Sequence, residues 1–456
     1  MATREVYYLY KHEYPADTVV LSMLKSLCPD VVVCKDKMPH HVCVCQYHEN
    51  IDCLLHGLRH VPSIPATYSG LFQQVSCDPD SEQCMFGECD DCKELSSLES
   101  LIEATDDMVL GDQIKWLEWV HSQDGQPEKV EKAGTVTDAL TSLAQKLGQF
   151  KIHCYIKSKQ AAAFRELHTS PGPQCAVLQV NFSENASIIE QEEVHSEHWN
   201  HKQVTVFTAV AWTREHTSLH AAVSDNLSHD KYAAAIMIET VLDKVQAKQT
   251  EPVNQVDIFS DGASQHFKQK YMMTYITSLL QSKGLTVNWH FFAATHGEGA
   301  VDGVGGTVKR AVHSMFGEWD DCKELNLVKS AEQYAECANQ HTNIEVLYIP
   351  TELIEARKPA LDAVWSGATA IPAMHSVHCV RTTGFGQVLV AKYSQQQGTQ
   401  HTLVQQPIPI VPAIQAAPAM DKWQVAETLI DNVVNLYHLP IPDVLKKGRT
   451  KQQESE

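Results

Sequence analysis

Three apolar runs in close succession, "AVLQVNF" from residue 176, "VTVFTAVAW" from 204 and "SLHAAVSD" from 218, constrain the fold of this chain more than any other feature. Each is short, rich in β-branched or aromatic residues and bounded by polar turns, which predicts three consecutive strands. The pattern then alternates. A helix-spaced stretch, "HDKYAAAIMIETVLDKVQAK", precedes the strand "VDIFSDG". A second, "SQHFKQKYMMTYITSLLQSKG", precedes "TVNWHFFAA", and a third helix runs through "GGTVKRAVHSMF". Three strands followed by helix–strand alternation predict a mixed sheet with helices packed on its faces.

That order is the order of the ribonuclease H fold. The expected class is therefore α/β, a ribonuclease H-like mixed sheet with flanking helices, preceded by a small zinc-binding module and a helical region. We divide the 456 residues into a Cys/His-rich module (1–95), a helical region (96–170), the core (171–365) and a C-terminal extension (366–456). The helical assignment rests on three- and four-residue apolar spacing in "LSSLESLIEAT", "DQIKWLEWVHSQ" and "TVTDALTSLAQKLGQFKIHCYIKSKQAAAFREL". "SPGPQ" (170–174) closes that region as a loop. The extension combines a strand, "GQVLVAKYS", a Pro-rich linker, "QQPIPIVPAIQAAPAM", and a short helix, "KWQVAETLIDNVVNLYHL".

Cysteine use points to metal. Of 14 cysteines, nine lie at or before Cys92, and in a reducing compartment such crowding reads as ligation rather than disulfides. One segment, "HHVCVCQYHENIDCLLHGL", offers Cys43, Cys45, His48, Cys53 and His56; a second, "CDPDSEQCMFGECDDCKEL", offers Cys77, Cys84, Cys89 and Cys92. Cys89 and Cys92 have the two-residue spacing that lets one turn present two thiolates to zinc, whereas "CVC" followed by His48 is tighter than usual. The predicted ligands are Cys43, Cys45, His48, Cys77, Cys84, Cys89 and Cys92, around one zinc or two, with a structural role because thiolate-rich sites are closed. The rival reading makes some of them free buried thiols. "MFGECDDCKEL" (85–95) returns as "MFGEWDDCKEL" (315–325), without the partner thiols, so Cys322 is assigned no metal.

Acids fall where chemistry would need them. Asp261 ends the strand "VDIFSD", and Asp302 stands after the next strand at the start of a helix, in "HGEGAVDGVGGTVKR". Phosphoryl-transfer enzymes of this architecture gather acids from the first strand, the fourth strand and a late helix around two divalent ions. Magnesium takes carboxylate oxygens and water. Glu298 is a rival for the third ligand. A lone Asp after a strand can equally be a turn or helix cap. The glycines of "HGEGAVDGVGG" could cradle a phosphate, but Walker spacing is absent and Lys309 stands too far along; close approach of helix to sheet is the simpler role.

"LQVNFSEN", "HWNHKQVTVFTAVAW", "FSDGASQHFKQKY" and "WHFFAATHGEGAVDGVGGTVKR" resemble the central blocks of a group of animal DNA-transposon-derived proteins with a DDE-type transposase core. "PHHVCVCQYHENIDCLL" and "CDPDSEQCMFGECDDC" resemble the cysteine-rich block before that core, and the likeness is collinear over roughly 30–365. The resemblance implies metal-assisted cleavage and transfer of DNA strands, with magnesium or manganese at the core. Carried over by position, its first acid falls on Asn181, its second on Asp261 and its third on Asp302. The group reads V-D-F-x-E-N where this chain has "VNFSEN". An amide lacks the charge that holds a hard cation. Glu184 could replace the acid only if the strand has turned by then, because alternation otherwise points it to the opposite face. The core is expected to be impaired; the rival class is a non-enzymatic binding or scaffold protein that keeps the fold and the zinc module.

The net charge of −20 disfavours strong autonomous DNA binding, since phosphate contacts supply most of such affinity. No helix-turn-helix or basic arm is read before the cysteine block, and a homo-oligomer or protein partner is an alternative. With no apolar run long enough to span a bilayer and no apolar signal core, the expected location is nuclear or cytoplasmic, away from membranes.

Overall fold

The computed structural model describes residues 45–95, 97–188, 201–294, 296–297, 299–315 and 328–404. The chain divides into two compact units. Residues up to Ser158 together with Ala293–His296 form one, and Lys159–Phe292 with the residues from Gly297 onward form the other. Among the described residues no helix is long and apolar enough to cross a membrane.

In the first unit, helix Gln46–Gly57 packs on a two-stranded antiparallel hairpin, β1 (Gln113–His121) and β2 (Pro127–Thr135). Asn50 fastens the two. Its Oδ1 accepts from Trp119 N at 2.7 Å and its Nδ2 donates to Trp119 O at 3.1 Å. A Cβ on Gly57 would stand 2.9 Å from Trp116 Cβ, so the approach needs glycine. The hairpin corrects the helical expectation for "DQIKWLEWVHSQ" within the mainly helical region expected over 96–170. Ile114, Leu117 and Val120 have helical spacing, but Trp, Ile and Val are equally strand formers. The decisive local signal is Asp124-Gly125, whose glycine takes the left-handed φ of 77° that closes the turn. The flanking expectations hold as helices at Leu98–Glu103 and Val136–Thr169.

The second unit is a mixed α/β structure built on nine strands: β3 (Cys175–Ser187), β4 (Gln203–Thr213), β5 (Thr217–Ser224), β6 (Gln255–Ser260), β7 (Thr286–Phe291), β8 (Glu345–Tyr348), β9 (Cys379–Gly384), β10 (Gln387–Ala391) and β11 (Thr399–Thr402). They lie in the order β11-β10-β9-β7-β6-β3-β4-β5-β8. β4 runs antiparallel to both β3 and β5; β6 and β7 run parallel to β3. Strands β9 to β11 extend this sheet beyond β7, which corrects the boundary drawn at 365. The expected linker and C-terminal helix lie outside the described residues.

Both faces of the sheet are buried, which explains the near-continuous apolar strands. Leu178, Phe207, Ile258 and Trp289 face helices Lys231–Ala247, Lys270–Lys283 and Thr351–Trp365. Those helices are tied through buried Glu239, which accepts from Tyr275 Oη and Arg357 Nη2, each at 2.9 Å, and pairs with Lys283 at 3.2 Å. On the other face Val206, Val210 and Val223 meet Val301, Val304, Val308 and Val312 of helix Ala300–Met315. Phe164 packs there on Trp212, Phe259 and Phe292.

Two consequences can be measured. A Cβ on Gly305 would meet Ser183 Oγ at 2.9 Å and Ser183 Cβ at 3.2 Å, whereas one on Gly303 meets nothing within 4 Å. Gly305→Ala should therefore cost about 1–3 kcal/mol by overpacking, and Gly303→Ala should be neutral or stabilise by up to ~1 kcal/mol, as read from urea unfolding. Second, His290 Nε2 lies 3.1 Å from Asp257 Oδ1, both buried. Burial alone would push the imidazole down; the Asp257 carboxylate and Cys379 hold it up, to about 9. Asp257 is itself buried, yet His290, Gln255 and Asn288 hold its carboxyl below the ordinary range. The histidine's contribution is complete below its unfolded value near 6.5 and is lost as pH rises through about 9. The carboxylate's contribution is lost only as pH falls below its own ordinary range. Unfolding monitored at the buried Trp289 should show stability declining from pH 7 to 9.5. Asp257→Asn should flatten that decline and cost on the order of 3 kcal/mol at pH 7.

Candidate functional site

The parallel register of β3 and β6 pairs Gln179 with Phe259. Two residues beyond that pair stand Asn181, still within β3, and Asp261, just past the end of β6. Helix Ala300–Met315 brings Asp302 to Asn181: Asn181 Nδ2 donates to Asp302 Oδ1 at 3.2 Å. An amide oxygen turned toward that carboxylate would set acceptor against acceptor, so the –NH2 orientation is the favoured one. The second oxygen of Asp302 accepts from Gly299 N at 2.7 Å, which caps the helix. Asp261 is about half exposed; its Oδ1 accepts from Ala263 N at 3.2 Å and lies 4.0 Å from His266 Nε2. Burial pushes the His266 imidazole down, against the pull of Asp261. Thus Asn181 and Asp302 touch, and Asp302 and Asp261 each accept a nearby backbone N–H.

Glu184 departs from strict alternation. The β3–β4 register shifts between Ser183 and Ala186, a bulge. Glu184 is exposed there and acts electrostatically on Lys309, whose ammonium burial pushes down and Glu184 partly restores. Glu298 lies outside the described residues. The glycines beside it have packing roles: a Cβ on Gly299 would stand 2.6 Å from Gln179 Nε2, whose amide donates to Gly297 O at 3.2 Å.

The first unit carries two clusters that could hold a metal ion. In one, the sulfurs of Cys77, Cys89 and Cys92 lie within 4.8 Å of one another, and the thiol of Cys84, outside that group, is pushed up in part by Cys92 and Cys89. Cys77 N donates to Cys92 Sγ at 3.1 Å. Burial alone would raise the Cys92 thiol; that N–H and the thiols of Cys77, Cys84 and Cys89 bring it down to about 7. Three thiols this close, with Cys84 nearby in sequence as a candidate fourth, suit a thiophilic cation. The second copy of the repeat, 316–325 with Cys322, lies outside the described residues.

The other cluster joins Cys45, His48, His153 and His296, whose ligand atoms also lie within 4.8 Å of one another. Cys45 Sγ is 3.3 Å from His153 Nε2, and His153 Nε2 is 3.2 Å from His296 Nε2. Cys154 Sγ and Lys157 Nζ approach His48 Nε2 at 3.6 and 3.4 Å. Burial and then Lys157 hold His153 and His296 down at about 4, so both rings are neutral at pH 7. Tyr47 stacks on His153, and Tyr68 and Phe150 wall His48. Cys43 lies outside the described residues. Cys53 and His56 are not in the cluster: Cys53 bonds Glu49 at 3.7 Å, and His56 meets Arg59 at 3.0 Å.

Sequence reasoning missed His153 and His296. His153 lies three residues after buried Phe150 on a helix and reads as core; His296 sits in a glycine-flanked loop far from any cysteine. The usable signal was Cys45-x2-His48, half of a ligand set whose other half had to come from elsewhere.

Helices Glu82–Met85 and Asp90–Leu95 are too short to stand alone. A strong chelator under reducing conditions should therefore expose 76–95 to protease, with early cleavage after Lys93, while β3–β7 stay protected. Unchanged protection of that segment would show that packing alone holds it.

Residues 46–151 match a family described as a domain of unknown function, DUF8700. No curated protein matches the chain. Residues 160–394 match a second family, a domain of unknown function named DUF8701. Because that match takes in more than half of the 456 residues, the chain belongs to the DUF8701 family.

Proposed function

We propose that this is a transposon-derived protein whose sheet unit is a ribonuclease H-like, DDE-type core for metal-assisted cleavage and transfer of DNA strands, with its chemistry impaired by Asn181. The observation that carries the reading is the contact of Asn181 with Asp302, 121 residues apart in sequence, on a strand whose parallel neighbour β6 ends just before Asp261. The strand order supports it: the first strand of the unit is central, two antiparallel strands lie to one side, and two parallel strands to the other. Its polar residues come from the middle of the first strand, just past the end of the fourth and the first turn of a late helix.

The impairment follows from charge. A pair of magnesium or manganese ions needs several anionic oxygens, and here one corner offers an amide whose N–H2 already occupies an oxygen of Asp302. Glu184 engages Lys309, which works against its use as a substitute. The acidic chain grips DNA weakly, consistent with a binding or scaffold role in the nucleus, and the neutral Asn181–Asp302 contact favours that second reading over full activity. We assign zinc to Cys77, Cys84, Cys89 and Cys92, where it contributes folding energy rather than chemistry.

Nicking of supercoiled DNA with magnesium or manganese tests this. The natural chain should give little or none, and Asn181→Asp should raise the rate by roughly tenfold or more, about 1.4 kcal/mol in the barrier, with Asp261→Ala abolishing the gain. Asn181→Asp should also melt at lower temperature without divalent ions and recover when they are added. Brisk cutting by the natural chain, lost in Asp261→Ala, would sink the impaired reading.

A further inference from the structure

We infer that Cys45, His48, His153 and His296 form a second zinc site, distinct in composition from the four-cysteine cluster and completed by two histidines far away in sequence. It rests on geometry independent of any reading of the sheet unit. A tetrahedral zinc with bonds near 2.05 Å to nitrogen and 2.3 Å to sulfur has edges of about 3.3 Å between nitrogens and about 3.6 Å between nitrogen and sulfur. The observed separations are 3.2 Å for His153–His296 and 3.3 Å for Cys45–His153.

Hydrogen bonding accounts for the cluster poorly. His153 Nε2 faces both Cys45 Sγ and His296 Nε2, and the one proton or lone pair at that atom serves only one of them. A cation accepts all four lone pairs at once. One thiolate and three imidazoles are borderline-soft donors that suit zinc. Four protein ligands walled by Tyr47, Tyr68 and Phe150 leave no open position, so the role is structural. Cys45 and His153 are 108 residues apart, and His153 and His296 143. The ion therefore closes two long loops, where a cross-link constrains the unfolded chain most. Through His296 it also fastens Ala293–His296, a segment the sequence places between β7 and helix Ala300–Met315, into the first unit.

Metal analysis of the reduced full chain should find about two zinc ions, one for each ligand set. X-ray absorption at the zinc edge should give a mean of about 2.5 sulfurs and 1.5 nitrogens per zinc, against about 3 sulfurs if Cys43 replaced one histidine. His153→Ala and His296→Ala should each lower the content to about one, while Cys43→Ser and Cys154→Ser keep two and His296→Cys keeps two with a higher sulfur count. Two zinc ions retained in both histidine variants, or one lost in Cys43→Ser or Cys154→Ser, would overturn the assignment. The absorption spectrum of the unmodified chain decides the matter even if a variant fails to fold.

Discussion

The parallel pairing of β3 with β6, from Cys175–Gln255 to Gln179–Phe259, is the constraint on which the rest of the sheet unit depends. Slipping it by one residue would turn every side chain of one strand to the opposite face. Burial on both sides forbids that slip. Val177 and Phe259 lie in one apolar cluster, while Leu178 and Ile258 lie in the large core on the other face. Once the register is set, the face on which Asn181 stands is set with it. The small residues of helix Ala300–Met315 then decide how near Asp302 can come, since Gly305 lets the helix rest against Ser183.

Much of this was legible because it is local. Strands buried on both faces write themselves as apolar runs, and β3 to β7 fall where "AVLQVNF", "VTVFTAVAW", "SLHAAVSD", "VDIFS" and "TVNWHFF" stand. The hairpin was misread because Ile114, Leu117 and Val120 satisfy a helical period as well as a strand's composition. The edge strands β9 to β11 read as a tail because nothing in a short strand says which edge it joins. Candidate metal ligands divide in the same way. Cys89 and Cys92 announce themselves by spacing, whereas His153 and His296 acquire meaning only when the chain returns to Cys45.

The bulge at Ser183–Ala186 shows why alternation alone could not decide the fate of Glu184. One extra residue in β3 leaves Ser183 and Ala186 opposite Val206 and Val204, which lie in one apolar cluster. Asn185 meanwhile accepts from His229 at 2.8 Å, and His229 stacks on Phe182. A carboxylate at the sheet's end is thus re-aimed by backbone irregularity rather than by its place in the count.

Charge separates an acid from an amide at position 181 more sharply than shape does. Two carboxylates at the 3.2 Å now spanned by Asn181 and Asp302 could not both stay ionised without a cation or a shared proton. Such a corner is at rest only when metal is bound. With the amide, the same atoms form a neutral-to-anion hydrogen bond, and the end of the sheet is satisfied with no metal at all. An acid at this position would carry an electrostatic strain that recruits a cation; the amide carries none. Asp302 is released to its cap on Gly299, and Asp261 to its turn at Ala263. With an amide at position 181, the stability of this corner does not depend on the supply of divalent ions.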